Sequence, residues 1–139
     1  VEHLGRFLAV LGQSVRTTAD RRLAERGASF AEFHLLEVLR RDGAQTMGTL
    51  ARQLGVEVST VTHHVGRLAE VGYLRRTPSP TDRRSVTVTL TPSGRARARS
   101  LAKVMDTVEA DLRELLSPSE ASRLTALAAR LHDRLRSAP

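Results

Sequence analysis

A mainly α fold carrying one small β-hairpin (α+β overall) is predicted by three features of the sequence. Apolar residues recur at helical spacing through the first half of the chain. The period switches to strict alternation at Val86, Val88 and Leu90, and helical spacing returns after Pro92.

The elements follow in order. Leu4, Phe7, Leu8, Leu11, Val15 and Leu23 mostly keep helical steps, so a first helix runs from Leu4 to about Arg26 and Gly27 stops it. Ser29 and Glu32 form an S-x-x-E capping box for a second helix, which passes through Leu35, Leu36 and Leu39 and ends at Gly43. Thr46 to Leu54 makes a short third helix. Gly55 and Val56 turn the chain, and Glu57 to Val71 makes a fourth helix with Gly72 as its stop. Thr87, Thr89 and Thr91 alternate with Val86, Val88 and Leu90, a β-branched strand pattern. Tyr73 to Thr77 is the antiparallel partner, and Pro78-Ser79-Pro80-Thr81-Asp82 is a turn-rich tip. Thr91-Pro92 reads as an N-cap followed by Pro at the first helical position. The helix it opens carries Leu101, Val104, Met105, Val108, Leu112 and Leu115 at steps of three and four. Ser117-Pro118-Ser119-Glu120 caps a last helix with Leu124, Leu127, Leu131 and Leu135 on one face.

At 139 residues the chain is expected to be a single domain. It comprises a helix in 1–28, a helix–turn–helix plus hairpin in 29–92 and two helices in 93–139. It opens on Val1 rather than Met, which sets the expectation that the native N-terminus lies upstream. Neither a signal-peptide pattern nor a membrane-length apolar run is present, and a cytoplasmic location is expected. The absence of cysteine rules out disulfides, thiolate metal sites and thiol redox sensing.

The net charge of +7 is segregated. Residues 40–100 hold 11 Arg against Asp42, Glu57, Glu70 and Asp82, while the rest of the chain balances 11 basic with 11 acidic residues. All but one of the basic residues are Arg, whose fork suits phosphate and guanine. Such a basic module between neutral flanks points to nucleic acid.

A short helix, a tight turn, a second helix and a hairpin make a winged helix-turn-helix, spanning roughly Thr46 to Pro92. On the fourth helix Val58, Val61, Val65 and Leu68 form the predicted buried stripe, with Thr62 at its edge. The opposite face presents Ser59, Thr60, His63, Gly66 and Arg67. Ser59, Thr60, Thr62, His63 and Arg67 are the candidate recognition residues. Arg75, Arg76, Asp82, Arg83 and Arg84 are the candidate wing residues. Asp82 is an acid within the most basic stretch. Two residues apart on an extended strand, Asp82 and Arg84 share a face, so the carboxylate can hold the guanidinium for a minor groove while Arg83 contacts the backbone. The alternative is that Asp82 shapes the turn.

These residues resemble the multiple-antibiotic-resistance regulator (MarR) family. The matching stretches are Ser59-Thr60-Val61-Thr62, Arg67-Leu68, Gly72-Tyr73-Leu74-Arg75-Arg76, Asp82-Arg83-Arg84 and Leu90-Thr91-Pro92-Ser93-Gly94-Arg95. The resemblance implies an obligate dimer built from the first and last two helices. It also implies a recognition helix in the major groove, Arg84 in the minor groove, and a pocket for an aromatic acid or phenol. His63 departs from the pattern, which often has Arg there, and makes that contact a candidate for pH sensitivity.

The apolar faces of the terminal helices independently call for a partner. Leu4, Leu8, Leu11, Leu112, Leu115, Leu127 and Leu131 are the candidate dimer contacts, and a two-fold dimer predicts a pseudo-palindromic operator. Phe33, His34 and Met47 are candidate pocket residues, with core packing as their alternative role. The five histidines form no convincing ligand set, so no metal and no cofactor is expected. Phosphate-loop, nucleophile-elbow and dinucleotide signatures are absent, which argues against an enzyme. The expected role is a sequence-specific regulator of transcription on double-stranded DNA, a repressor relieved by a small ligand. The rival is a winged helix that binds nucleic acid nonspecifically, or binds protein, without an effector.

Overall fold

The computed structural model describes residues 3–82 and 84–138. Six helices and three short strands follow in the order α1 (Leu4–Leu23), a 3₁₀ turn (Ala24–Arg26), α2 (Phe30–Asp42), β1 (Gln45–Thr46), α3 (Met47–Leu54), α4 (Val58–Glu70), β2 (Leu74–Pro78), β3 (Val86–Leu90), α5 (Pro92–Glu114) and α6 (Pro118–Ser137). Two compact units result, 1–105 and 106–139. The division falls inside α5. The cause is packing: Ala98 and Leu101 in the first half of α5 are fully buried in the core of the first unit.

That core is built from Leu23 of α1, Leu35 and Leu36 of α2, Leu50 of α3, Val61 and Val65 of α4, Val88 of β3 and Leu101 of α5, all fully buried. Local chemistry sets the helix ends that frame it. Ser29 Oγ accepts from the Glu32 amide, and Thr46 Oγ1 accepts from the Thr49 amide, each satisfying a free first-turn donor. The box expected at Ser29 is only half formed. The Glu32 carboxylate instead accepts from Arg97 Nε of α5 at 3.0 Å, and Arg97 also donates to the Arg26 carbonyl at 2.9 Å. Tertiary pairing has taken the side chain that local capping would have used.

The hairpin pairs β2 with β3 from Leu74↔Leu90 to Pro78↔Val86. Tyr73 stays just outside the strand, half-buried, with the Arg97 guanidinium 5.5 Å from its ring centre. A third strand was not foreseen: Gln45 and Thr46 pair with Val88 and Thr87, giving the order β1-β3-β2. Thr91 Oγ1 accepts from the Gly94 amide and donates to the Gly72 carbonyl, so the helix cap also anchors the base of the hairpin. Gly94 sits in that joint because a Cβ there would collide with the Tyr73 carbonyl oxygen.

In the unit 106–139, Ser117 and Glu120 form the full reciprocal box, with N–H···O distances of 3.2 and 2.8 Å and Pro118 in the first turn. Val108 and Ala121 are buried there, while Leu115, Leu124, Leu127, Leu131 and Leu135 are exposed.

Candidate nucleic-acid interface

The helix-turn-helix is α3, the turn Gly55-Val56-Glu57, and α4. Gly55 takes φ 68° and ψ 33°, the left-handed conformation that lets α3 end and the chain reverse within three residues. Val61, Val65 and Leu68 seat α4 on the core. Val58, expected in the same stripe, is 49 % exposed. It is the first residue of α4, where the chain has only just left the turn and no neighbouring element covers it.

Ser59, Thr60, Thr62, His63 and Arg67 are all exposed. Thr62 turns its hydroxyl back onto the Val58 carbonyl at 2.9 Å. Thr62 therefore offers a methyl and its two acceptor lone pairs rather than a free donor. Glu57, the N-cap of α4, makes no side-chain cap bond. The positive dipole end and first-turn amides thus lie beside Ser59 and Thr60, a favourable place for a phosphate. Arg67 stands about 12 Å further along the helix, at 1.5 Å per residue. It borders a shallow groove with Glu32, Tyr73 and Arg97, so it flanks the polar tip instead of belonging to it.

In the wing, Arg75 and Arg76 are exposed on adjacent positions of β2, on opposite faces of the strand. The tip is closed by Ser79 N–H donating to the Ser85 carbonyl (2.9 Å) and Ser85 N–H donating to the Asp82 carbonyl (3.1 Å). Asp82 Oδ1 accepts from the backbone amide of Arg84 at 2.9 Å. Among the described residues no ion pair joins the Asp82 and Arg84 side chains. The carboxylate shapes the turn, and the Arg84 guanidinium stays exposed. An amide two residues on is fixed in place, whereas a guanidinium must lose side-chain entropy to reach the same oxygen, so the local bond wins. Arg83 lies outside the described residues.

The three candidate pocket residues part company. Phe33 and Met47 pack against the core. His34 lines a crevice of about 70 Å³ with Arg16, Phe30, Leu35, Leu54, Val56, Thr60, Val61 and His64 among its walls. Arg16 lies over the Phe30 ring at 5.4 Å from its centre, and the His34 ring is 5.4 Å from the same ring. Burial, with Arg16 and Arg41 adding repulsion, holds His34 below the ordinary histidine value. His64 is lowered too, chiefly by burial and then by His63, Arg67 and Arg16. The sequence reading passed over Arg16 and His64. An arginine among the apolar steps of the first helix was the available signal for one. His64 falls at i+4 from Thr60, the helical spacing that puts both on one flank. Among the described residues no group of three or more His, Cys, Asp or Glu could hold a metal ion, and no helix is long and apolar enough to cross a membrane.

Comparison with known proteins places this geometry. The MarR family model matches residues 29–86. The transcriptional regulator PecS of Dickeya dadantii is 34% identical over 110 residues, which cover 77% of this chain and 66% of PecS, just under two thirds of its length. The crystal structure of a mutant MarR from E. coli complexed with operator DNA superposes with a TM-score of 0.83 at 26% identity, covering 92% of each chain. Bordetella bronchiseptica BpsR, solved in a study of how 6-hydroxynicotinic acid regulates its DNA binding, gives 0.85 at 25% identity over 94% of this chain and 99% of its own. These relatives are regulators, not enzymes.

Proposed function

The chain belongs to the MarR family, and from that membership we propose that it regulates transcription by binding double-stranded DNA as a homodimer. In this reading α4 enters the major groove with Ser59, Thr60, Thr62 and His63 at the base edges. Arg84 reaches the adjacent minor groove, and Arg75, Arg76 and Arg83 contact phosphates. The observation that carries it is the juxtaposition of an exposed, short-polar helix tip with an arginine-rich hairpin, both within the stretch 40–100 that holds the excess positive charge. The likeness to MarR complexed with operator DNA supports the same docking.

Dimerisation is supported by the exposed apolar faces. Leu4, Leu8 and Leu11 of α1 and Leu115, Leu127 and Leu131 are all at least 38 % exposed, and Leu112 is half-buried. A second copy is the partner that covers such faces by two-fold symmetry, and it sets two α4 helices one DNA turn apart. The target is then a pseudo-palindrome, read in the cytoplasm.

The chain acts as a repressor released by a small phenolic or aromatic acid, by analogy with the acid that regulates BpsR. The crevice at His34 is the best-supported effector site. Its volume of about 70 Å³ is roughly half that of a cavity that takes up benzene, so an aromatic ring must widen it. Widening moves Thr60 and His64, which are part of α4.

Affinity for a palindromic site against a scrambled duplex of equal length, at physiological salt, tests the central reading. A preference of 10³-fold or more is expected, on the order found for specific regulators. Equal affinity overturns it.

A further inference from the structure

We propose that Arg97 of α5 is the positioning residue of the wing: its guanidinium fixes the joint between α4 and β2, and with it the place of Arg84 relative to the reading helix. The proposal rests on reading Arg84 as a minor-groove contact and adds what holds it in register.

Val71, Gly72 and Tyr73 alone join α4 to β2, and Gly72 turns the chain at φ 85°. Local bonds close this joint. The Tyr73 amide donates to the Leu68 carbonyl at 2.9 Å, and the Tyr73 carbonyl accepts from the Thr91 amide at 3.1 Å. Arg97 ties the joint to two further elements of the head. Its Nε and Nη2 donate to the two Glu32 carboxylate oxygens of α2 at 3.0 and 3.5 Å, and its Nη1 donates to the Arg26 carbonyl at 2.9 Å. The same guanidinium stands over the Tyr73 ring, 5.5 Å from its centre, within the range of cation–π attraction. Arg26 returns the contact, donating from its own Nη1 to Ser100 Oγ of α5 at 3.1 Å. Buried Ala98 and Leu101 fix the rotation of α5 beside Arg97.

Stability alone does not account for this choice of residue. The ion pair is only 13 to 19 % exposed, and removing two charges from water costs about as much as their attraction returns, so apolar side chains of similar volume serve a core equally well. What an apolar side chain lacks is direction. A planar fork with five fixed donors sets angles as well as distances, whereas a lysine reaches one receiver as a point charge. Direction matters because the wing is a lever. β1 supports β3 on one side, but β2 is an edge strand and starts at this joint. Its five residues, at about 3.3 Å each, carry the chain about 17 Å out, so a tilt of about 10° at Tyr73 moves the tip by about 3 Å. That is a full hydrogen-bond length, enough to take the Arg84 guanidinium out of a groove contact.

The test is a double-mutant cycle in the full chain, read as affinity for a palindromic duplex selected for tight binding. Arg84→Ala alone is expected to weaken binding by about 5- to 150-fold. Arg97→Lys keeps the charge beside Glu32 but loses the fork. In that background Arg84→Ala should cost less than about twofold, because the guanidinium it removes is already out of place. Tyr73→Leu leaves Arg97 and Glu32 paired and should reduce the Arg84 factor in the same direction, whereas Tyr73→Phe, which keeps the ring, should restore it. Urea midpoints establish that each variant folds, and Tyr73→Leu carries the cycle if Arg97→Lys does not. A role in stability alone shifts those midpoints and leaves the Arg84 factor undiminished in both backgrounds, which overturns the proposal while preserving the minor-groove reading. Loss of the Arg84 factor in the otherwise unaltered chain overturns both.

Discussion

The reading head and the terminal helices distribute their leucines in opposite ways. In the head, Leu35, Leu36, Leu50, Val61, Val65 and Val88 are fully buried. On α6, Leu124, Leu127, Leu131 and Leu135 are 38 to 76 % exposed, and the first half of α1 shows Leu4, Phe7, Leu8, Val10 and Leu11 at 41 to 65 %. The same residue types at the same helical spacing thus complete one core and leave another open. Hydrophobic burial is proportional to area removed from water, so the head is stabilised within one chain, whereas the terminal helices keep apolar area that the proposed dimer would bury. An exposed apolar helix face of this kind on a small protein marks an interface.

Substitutions separate the two regions. The largest effect is expected from Leu127→Glu combined with Leu131→Glu. Each change occurs twice across a two-fold, so association should weaken by more than about 4 kcal/mol, seen by sedimentation as a shift to monomer. A dimer of unchanged affinity would remove these leucines from the interface. Leu50→Ala strikes the other region. It should lower the stability of the chain by about 2–5 kcal/mol in urea unfolding, through lost burial and a cavity, without changing the m-value. A loss under about 1 kcal/mol would mean that the head is not tightly packed around Leu50. Smaller still are the effects at the wing, where stability hardly enters. Arg84→Ala should weaken binding to a specific duplex by about 1–3 kcal/mol. Asp82→Ala should weaken it by about 0.5–1.5 kcal/mol, the value of one lost turn hydrogen bond, although a negative charge is removed. Tighter binding by Asp82→Ala, measured by fluorescence anisotropy, would show that charge repulsion outweighs turn shape.

The sequence was most readable where a single period or a local cap decides the outcome. Gly27, Gly43, Gly55 and Gly72 all take positive φ just past a helix end, where an L side chain is disfavoured. Ser117 and Glu120 meet across one turn, so their box is visible in four letters. Where two partners compete, the sequence misled. Glu32 had a local use at Ser29 and a distant one at Arg97, and the ion pair, only 13 to 19 % exposed, took it. Asp82 had the reverse choice, and on an exposed tip the nearby amide took it. At low dielectric a distant cation competes well with a local amide, and in water it does not. The crevice lies at the far end of this scale. Arg16, His34 and His64 are separated by 18 and 30 positions, and no period links them.

Composition, period and capping alone established six helices, a hairpin, the basic middle of the chain and the exposed polar face of its fourth helix. These depend on neighbours within one or two helical turns, whose geometry is the same in any fold. The third strand, the exposure of Val58, the release of Arg84 from Asp82 and the meeting of Arg16 with two histidines were settled only by tertiary packing. Each depends on which distant group arrives first at a shared surface and on how much water remains there, and neither quantity is written in the order of residues.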